Sequence, residues 1–185
     1  MQTKRETSEK NYFRFWLALV LCLLARLIPF RAPNVEPILA TTMPIGRAYG
    51  TFLGFSFAFS SILLYDLLTH TFGMQTFFTA SAYGLIGLAS VYYFQKKNNS
   101  VWNYVRFSIY GTLFFDAVTG LTIGPIFFHQ SFMSTLVGQI PFTALHLLGN
   151  IVFALILSPA IYKFLIRKKK KKILYNLETL NPKII

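Results

Sequence analysis

Long apolar segments separated by short polar breaks make up most of this chain. Five of them are prominent, at about residues 13–30, 49–68, 76–94, 101–121 and 140–166. An α-helix needs about 20 predominantly apolar residues to cross the hydrocarbon core of a bilayer. The pattern therefore predicts an all-α integral membrane protein rather than a soluble domain.

A shorter stretch, residues 35–46, decides how many times the chain crosses the membrane. If it is a loop, there are five spans and the termini lie on opposite sides. If it crosses, six spans place both termini in the cytoplasm and leave only Arg26 and Arg31, of 18 basic residues, toward the outside. That asymmetry obeys the positive-inside rule. We therefore predict six transmembrane helices with both termini cytoplasmic, the second helix being short and shielded by its neighbours.

This topology divides the chain into three parts. Residues 1–12 form a cytoplasmic N-terminal tail, residues 13–166 a membrane domain of six helices, and residues 167–185 a basic cytoplasmic C-terminal tail. Pro141 is expected to open the last helix and Pro159 to kink it. Three loops then face outside, at residues 30–36, 66–76 and 121–139.

Small residues recur every four positions from the second predicted span into the third, a spacing that lets helices approach closely. They are Gly46, Gly50, Gly54 and Ala58. We interpret this ridge as a packing surface between helices.

Composition and charge agree with a membrane location. Hydrophobic residues make up 54% of the chain, charged residues 13%, and the mean hydropathy is +0.50, whereas soluble domains carry about 25% charged residues. The net charge of +12 is concentrated near the N-terminus and in residues 167–172, directly after an apolar segment. A nucleic-acid surface would need these charges on one folded face. We therefore expect the lipid bilayer as a partner, and no nucleic acid.

The sequence contains no motif for catalysis, a cofactor or a metal. Cys22 is the single cysteine, which excludes an intrachain disulfide and a cysteine-based metal site. A P-loop, an HExxH helix and a GxSxG turn are all missing, and the three histidines lack metal-ligand spacing. We predict no cofactor, no metal and no enzymatic activity.

Polar side chains in the later helices repeat at the spacing of one helical face. Asp116 and His146 carry most weight, because ionisable residues inside spans are costly and usually face the bundle interior or a cavity. We predict that their faces line a small-molecule site. The remaining polar residues are Ser108, Thr112 and Thr119 beside Asp116; Gln139, Thr143 and Asn150 beside His146; and Gln75, Thr79 and Tyr83 in the fourth span.

The candidate substrate-binding residues come from these faces and from the outer loops. For Thr143 and Asn150, hydrogen bonding between helices explains the residue equally well. A structural ion pair of Glu36 with Arg26 or Arg31 is the alternative to ligand contact at that position. The full set is Asn34, Glu36, Gln75, Thr79, Asp116, His129, Gln139, Thr143, His146 and Asn150.

Two segments resemble the substrate-binding S components of energy-coupling factor (ECF) transporters. They are RLIPFRAPNVEPILATTMPIGRAYGTFLG at residues 26–54 and GQIPFTALHLLGNIVFALILSPAIYKFL at residues 138–165. The resemblance implies a multi-pass subunit of the cell membrane that binds a vitamin or similar micronutrient at the extracellular side. It also implies a transmembrane T component and two cytoplasmic ATPase subunits as partners that power uptake.

In many members of that family a small-residue A-x-x-x-A motif on the first helix meets the T component. The nearest match here is Ala18-x-x-x-Cys22, with Ala25 one turn further on. The resemblance therefore implies partner contact at Ala18, Cys22 and Ala25, with a cysteine in place of the second alanine.

Two other functions fit the same sequence. A self-sufficient small transporter or channel would need no ATPase partner, and Asp116 would then serve as a proton site. A membrane enzyme acting on lipid is less favoured, because no catalytic motif supports it.

Overall fold

The structure, a computed structural model, describes residues 2–29 and 36–180, with side chains described within residues 12–29 and 36–165. Helices account for 87% of the residues, and no strand occurs among those described. The helices are α1 (Gln2–Arg26), α2 (Ile38–Tyr49), α3 (Thr51–Leu68), α4 (Met74–Gln95), α5 (Val101–Phe115), a π-helical turn (Asp116–Gly120), α6 (Leu121–Phe128) and α7 (Phe132–Leu180).

Four helical segments are long and apolar enough to cross a membrane. Large apolar side chains such as Phe52 and Ile156, which are 79% and 71% exposed, cover the outside of the bundle. An extended apolar surface of this kind suits contact with lipid. The all-helical prediction is confirmed, whereas six spans and the sidedness of the termini stay predictions. The four segments are Thr51–Leu68, Met74–Gln95, Val101–Phe128 and Phe132–Leu165.

The short helix α2 lies at the centre of the bundle. It has 12 residues and is therefore only about 18 Å long at 1.5 Å per residue. All nine residues from Ile38 to Gly46 are buried, and α2 packs against α3, α4, α5 and α7. Its neighbours therefore shield it, as the sequence predicted for a segment too short to cross hydrocarbon alone.

The small-residue ridge packs as predicted at two positions but not at Gly50. A methyl group added to Gly46 or Gly54 would collide with helix α4 near Gly87, so these glycines allow α2 and α3 to approach α4. Gly50 instead faces open space and has φ +94°, a conformation that L side chains rarely adopt. It ends α2 and precedes α3, so its function is the reversal of the chain rather than packing.

The predicted outer loop at residues 121–139 is wrong, because most of it is helical. The π-helical turn and α6 continue α5 to Phe128, and α7 begins at Phe132. Pro141 lies inside α7 instead of opening it. Without water to satisfy free backbone groups, a helix inside a membrane is favoured even where proline removes one donor. Both predicted tails are also helical where described, since α1 begins at Gln2 and α7 continues to Leu180.

Arginines join the helices at one end of the bundle. Arg14 Nη1 donates to the carbonyl oxygens of Phe164 and Leu165, at 3.3 and 2.7 Å. Arg47 donates to the carbonyls of Lys97 and Asn98 in the loop between α4 and α5. These contacts join α1 to α7 and the end of α2 to the loop after α4, and they lie at the opposite end of the helices from the polar residues described next.

Candidate functional site: a polar cavity at one end of the bundle

A cavity of about 300 Å³ lies where α1, α3 and α5 end and α2 and α4 begin. Part of its wall comes from the first half of α7. The alternation of helix directions brings polar residues that are far apart in sequence to this one end. We call this space the polar cavity.

A buried ion pair between the end of α1 and the residues just before α2 forms one wall. Arg26 Nε lies 3.0 Å from Glu36 Oε2, and the two side chains are 7% and 12% exposed. Arg26 Nη1 also donates to the Ser61 carbonyl at 3.1 Å, and the guanidinium lies 3.7 Å from the centre of the Tyr65 ring. Arg26 is thus held by protein groups on its neighbouring elements, as the structural alternative for this pair requires.

Tyr83 connects this ion pair to α7. Its hydroxyl donates to Glu36 Oε1 at 2.8 Å and lies 3.5 Å from His146 Nε2. The Tyr83 side chain is 1% exposed, and the centre of its ring lies 4.3 Å from the centre of the Phe115 ring. One phenolic proton serves one strong hydrogen bond, so the bond to Glu36 leaves Tyr83 as an acceptor toward His146.

His146 pairs with Asp116, which lies at the start of the π-helical turn. The distance from His146 Nδ1 to Asp116 Oδ1 is 2.8 Å, and both side chains are almost fully buried. An ionised carboxylate only accepts, so Nδ1 carries the proton that it donates. In neutral His146 the other nitrogen, Nε2, is therefore an acceptor that points toward Tyr83.

The opposite side of the cavity is more open and carries polar groups of α3 and α4. Asp66 Oδ2 accepts a hydrogen bond from Thr76 at 2.6 Å, which joins the end of α3 to the start of α4. Gln75 and Thr79 are partly exposed and line the cavity beside Asp66. Thr79 bonds to backbone carbonyls of its own helix, while the Gln75 amide nitrogen lies 3.5 Å from the Thr71 carbonyl oxygen.

Aromatic rings complete the cavity next to His146. The rings of Phe115 and Phe142 pack in T-shaped contacts with the imidazole, with ring centres 5.8 and 5.9 Å away. Phe115 is buried and Phe142 is 38% exposed. The rings give the site an apolar wall that fits a flat group between polar contacts.

The structure brings four of the predicted site residues to the wall of the cavity and places the others elsewhere. Asp116 does not line the cavity itself, but it contacts His146, which does. Asn34 lies outside the described residues. His129 is an exposed residue that ends α6 with φ 52° and does not reach the cavity. The four wall residues are Glu36, Gln75, Thr79 and His146.

The three remaining predicted residues of α7 make contacts between or within helices. Asn150 Nδ2 donates to Thr112 Oγ1 at 2.8 Å, which joins α7 to α5. Gln139 donates to Thr143 at 3.2 Å, and its side chain packs over Gly120. None of the three lines the polar cavity, so the packing interpretation fits Thr143 and Asn150 better.

Sequence reasoning left several wall residues out of the candidate set. Tyr83 shares a helical face with Thr79, four residues earlier, and this spacing was the signal that could have found it. Phe142 precedes His146 by one turn, and Asp66 ends the third predicted span. These signals were weak, because aromatic and acidic residues are also common at helix ends that take no part in ligand binding.

A second, apolar space lies between α1 and the later part of α7. Its volume is about 460 Å³, and its α1 wall includes Ala18, Cys22 and Ala25. On α7 the small residue Ala160 lines it. We call this space the α1/α7 groove; it contains all three residues for which partner contact was implied.

The polar cavity brings together groups that can contact a small molecule by hydrogen bonds and ring packing. It combines acceptor atoms, a carboxylate near its opening and aromatic rings, and no group of three potential metal ligands occurs among the described residues. No protein-family model and no curated protein matches this chain significantly.

Proposed function

We propose that this protein is the substrate-binding S component of an ECF-type importer, which takes up a vitamin-like micronutrient with energy from partner ATPases. The observation that carries the proposal is the polar cavity, built at one end of an otherwise apolar helical bundle. Partly exposed polar groups beside buried ionisable residues are expensive in a membrane and are usually functional.

The charge distribution supports an extracellular cavity. Arg14 and Arg47 lie at the opposite end of the bundle, and Lys96 and Lys97 follow the end of α4 there. Basic residues near the ends of spans favour the cytoplasmic side. In this orientation six segments cross the membrane: α1, α2, α3, α4, the continuous helical segment Val101–Phe128 and α7. Both termini are then cytoplasmic, and substrate enters from outside.

The proposed mechanism has no chemical step. Substrate binds in the polar cavity by hydrogen bonds and ring contacts, and release to the cytoplasm requires movement that the ATPases drive. The chain contains no P-loop, so in this mechanism the energy comes from partner ATPases.

The α1/α7 groove is a suitable binding surface for the proposed T component. Its walls are apolar, and small side chains at Ala18 and Ala25 let another helix approach closely. Cys22 is similar in size to alanine and is buried at the same surface. We therefore place a helix of the T component in this groove.

The test is affinity purification of the tagged chain from its native membranes in mild detergent, followed by mass spectrometry. We expect recovery of a T-like membrane protein and an ATPase pair. Ala18→Phe should reduce that recovery because it fills the groove, whereas Val20→Phe, on the exposed side of the same helix, should not. A chain that is recovered alone, or only with copies of itself, contradicts the proposal.

A second candidate is a self-sufficient transporter coupled to protons. The buried Asp116–His146 pair favours it, because such pairs carry protons in membrane transporters. Uptake that a protonophore abolishes and ATP depletion leaves intact would support this candidate over the first.

A further inference from the structure

We propose that the polar cavity binds a small organic cation whose nitrogen carries hydrogen atoms. This inference names the substrate class and rests on the proposed function only for the direction of transport. Its basis is the balance of charges and of hydrogen-bond donors around the cavity.

Arg26, the arginine that lines the cavity among the described residues, is not available to an anionic ligand. Arg26 is paired with Glu36 at 3.0 Å, bonded to the Ser61 carbonyl and stacked on Tyr65. An anion would have to break a buried ion pair, which leaves a charge without its partner at high cost. Carboxylate or phosphate ligands are therefore disfavoured at this wall.

Two further carboxylates near the cavity have no lysine or arginine partner within the described residues. Asp66 lines the cavity and accepts a hydrogen bond from the neutral side chain of Thr76. Asp116 lies behind His146, and its second oxygen, Oδ2, is buried and has no hydrogen-bond partner in the described part of the chain. Within the described residues, and with His146 neutral, the groups around the cavity therefore carry a net negative charge, which a cationic ligand reduces.

An independent observation is the contact between His146 and Tyr83. Both ends of this hydrogen-bond chain are carboxylates, so Nδ1–H is donated to Asp116 and the Tyr83 proton to Glu36. When His146 is neutral, its Nε2 and the Tyr83 oxygen face each other as two acceptors at 3.5 Å. His146 is 2% exposed and forms part of the cavity wall. A ligand N–H group placed there supplies the missing donor.

Size and ring contacts define the ligand further. A volume of about 300 Å³ is at the small end of the range for ligand sites. Phe115 and Phe142 offer their rings beside the acceptor atoms, and aromatic faces attract cations. The site therefore suits one small flat ring system with a protonated amine, amidine or ring nitrogen.

The test uses three probes of nearly equal shape: benzamidinium, benzamide and benzoate. Their binding to the full chain in nanodiscs of zwitterionic lipid is measured by ligand-observed NMR, with empty nanodiscs as the blank. We expect benzamidinium to bind about tenfold more tightly than benzamide, and benzoate to bind most weakly.

Variants of two acidic residues distinguish binding in the polar cavity from non-specific attraction to the negative charges of the protein. Asp66→Asn keeps an oxygen for Thr76 but removes the charge, and should weaken benzamidinium about tenfold while leaving benzamide unchanged. The matched control is Glu9→Gln, at a position about 25 Å from Arg26 along α1 at 1.5 Å per residue. This variant should change neither the affinity for benzamidinium nor that for benzamide. If Asp66→Asn does not fold, the order of the three affinities measured on the unmodified chain still tests the inference.

Benzoate binding as tightly as benzamidinium overturns the inference, and so does the lack of saturable benzamidinium binding up to roughly 10 mM. An equal effect of Asp66→Asn and Glu9→Gln also contradicts it. These measurements need no partner protein, so they can fail while the ATPases are recovered with the chain. Conversely, if the chain binds the cation but is recovered without partner proteins, the inference holds and the proposed role as an ECF subunit is rejected.

Discussion

Replacement of Arg26 by methionine tests whether the ion pair at the cavity is a structural clamp. Methionine keeps an apolar stem of similar reach but removes the guanidinium. The variant loses the contact with Glu36 at 3.0 Å, the hydrogen bond to Ser61 at 3.1 Å and the stacking on Tyr65 at 3.7 Å. Glu36 keeps its hydrogen bond from Tyr83.

Burial decides the expected magnitude. An exposed ion pair contributes at most about 1 kcal/mol, whereas removal of one partner from a buried pair costs about 3–5 kcal/mol. Arg26 is only 7% exposed, and Glu36 12%. We therefore expect Arg26→Met to lower the free energy of unfolding by about 3–5 kcal/mol, with the lost stacking on Tyr65 placing it toward the upper part of that range.

The assay is reversible unfolding of the purified protein in mixed micelles, followed by circular dichroism as the fraction of denaturing detergent rises. Arg106→Met is the matched control, because Arg106 is exposed; it should stay within about 0.5 kcal/mol of the unmodified protein. The double variant Arg26→Met with Glu36→Gln should recover about 1–3 kcal/mol relative to additivity. A loss for Arg26→Met no larger than that of Arg106→Met would refute the buried clamp.

Two further predictions concern helix packing and the buried pair. Gly87→Ala should lower the free energy of unfolding by about 1–3 kcal/mol, because its methyl group would collide with the Gly54 backbone. The control Gly138→Ala lies in open space inside α7 and should raise the free energy of unfolding by up to about 1 kcal/mol. Equal effects of the two variants in the same unfolding assay would contradict the close packing of α3 on α4. His146→Ala and Asp116→Ala should each weaken benzamidinium binding about tenfold in protein that remains helical, and unchanged affinity would remove these residues from the site.

The fold was predictable where hydrophobic pattern and charge act together. The apolar segments and the basic residues between them indicated the helices and the buried position of α2. The helix through residues 121–128 and the early start of α7 were missed because glycine, proline and histidine usually mark a loop. In an apolar setting, the need to pair every backbone group outweighs those signals.

The candidate site was predictable one helix at a time but not as a whole. Helical spacing identified His146 and Thr79, yet spacing within one helix does not reveal which residues of different helices meet. The contact between Tyr83 and Glu36 joins positions that are 47 residues apart. Only the arrangement of the helices shows that Asp66 lines the cavity and that Asn150 does not.

The most direct test of a substrate site in the polar cavity is native mass spectrometry of the protein purified from its own membranes, with a variant that fills the cavity. Thr79→Trp places a large ring in the polar cavity, whereas Leu85→Trp changes an exposed position of the same helix. We predict a bound small molecule on the unmodified protein and on Leu85→Trp, and its loss from folded Thr79→Trp. A small molecule retained equally by all three proteins, or absent from all three, would contradict a substrate site in this cavity.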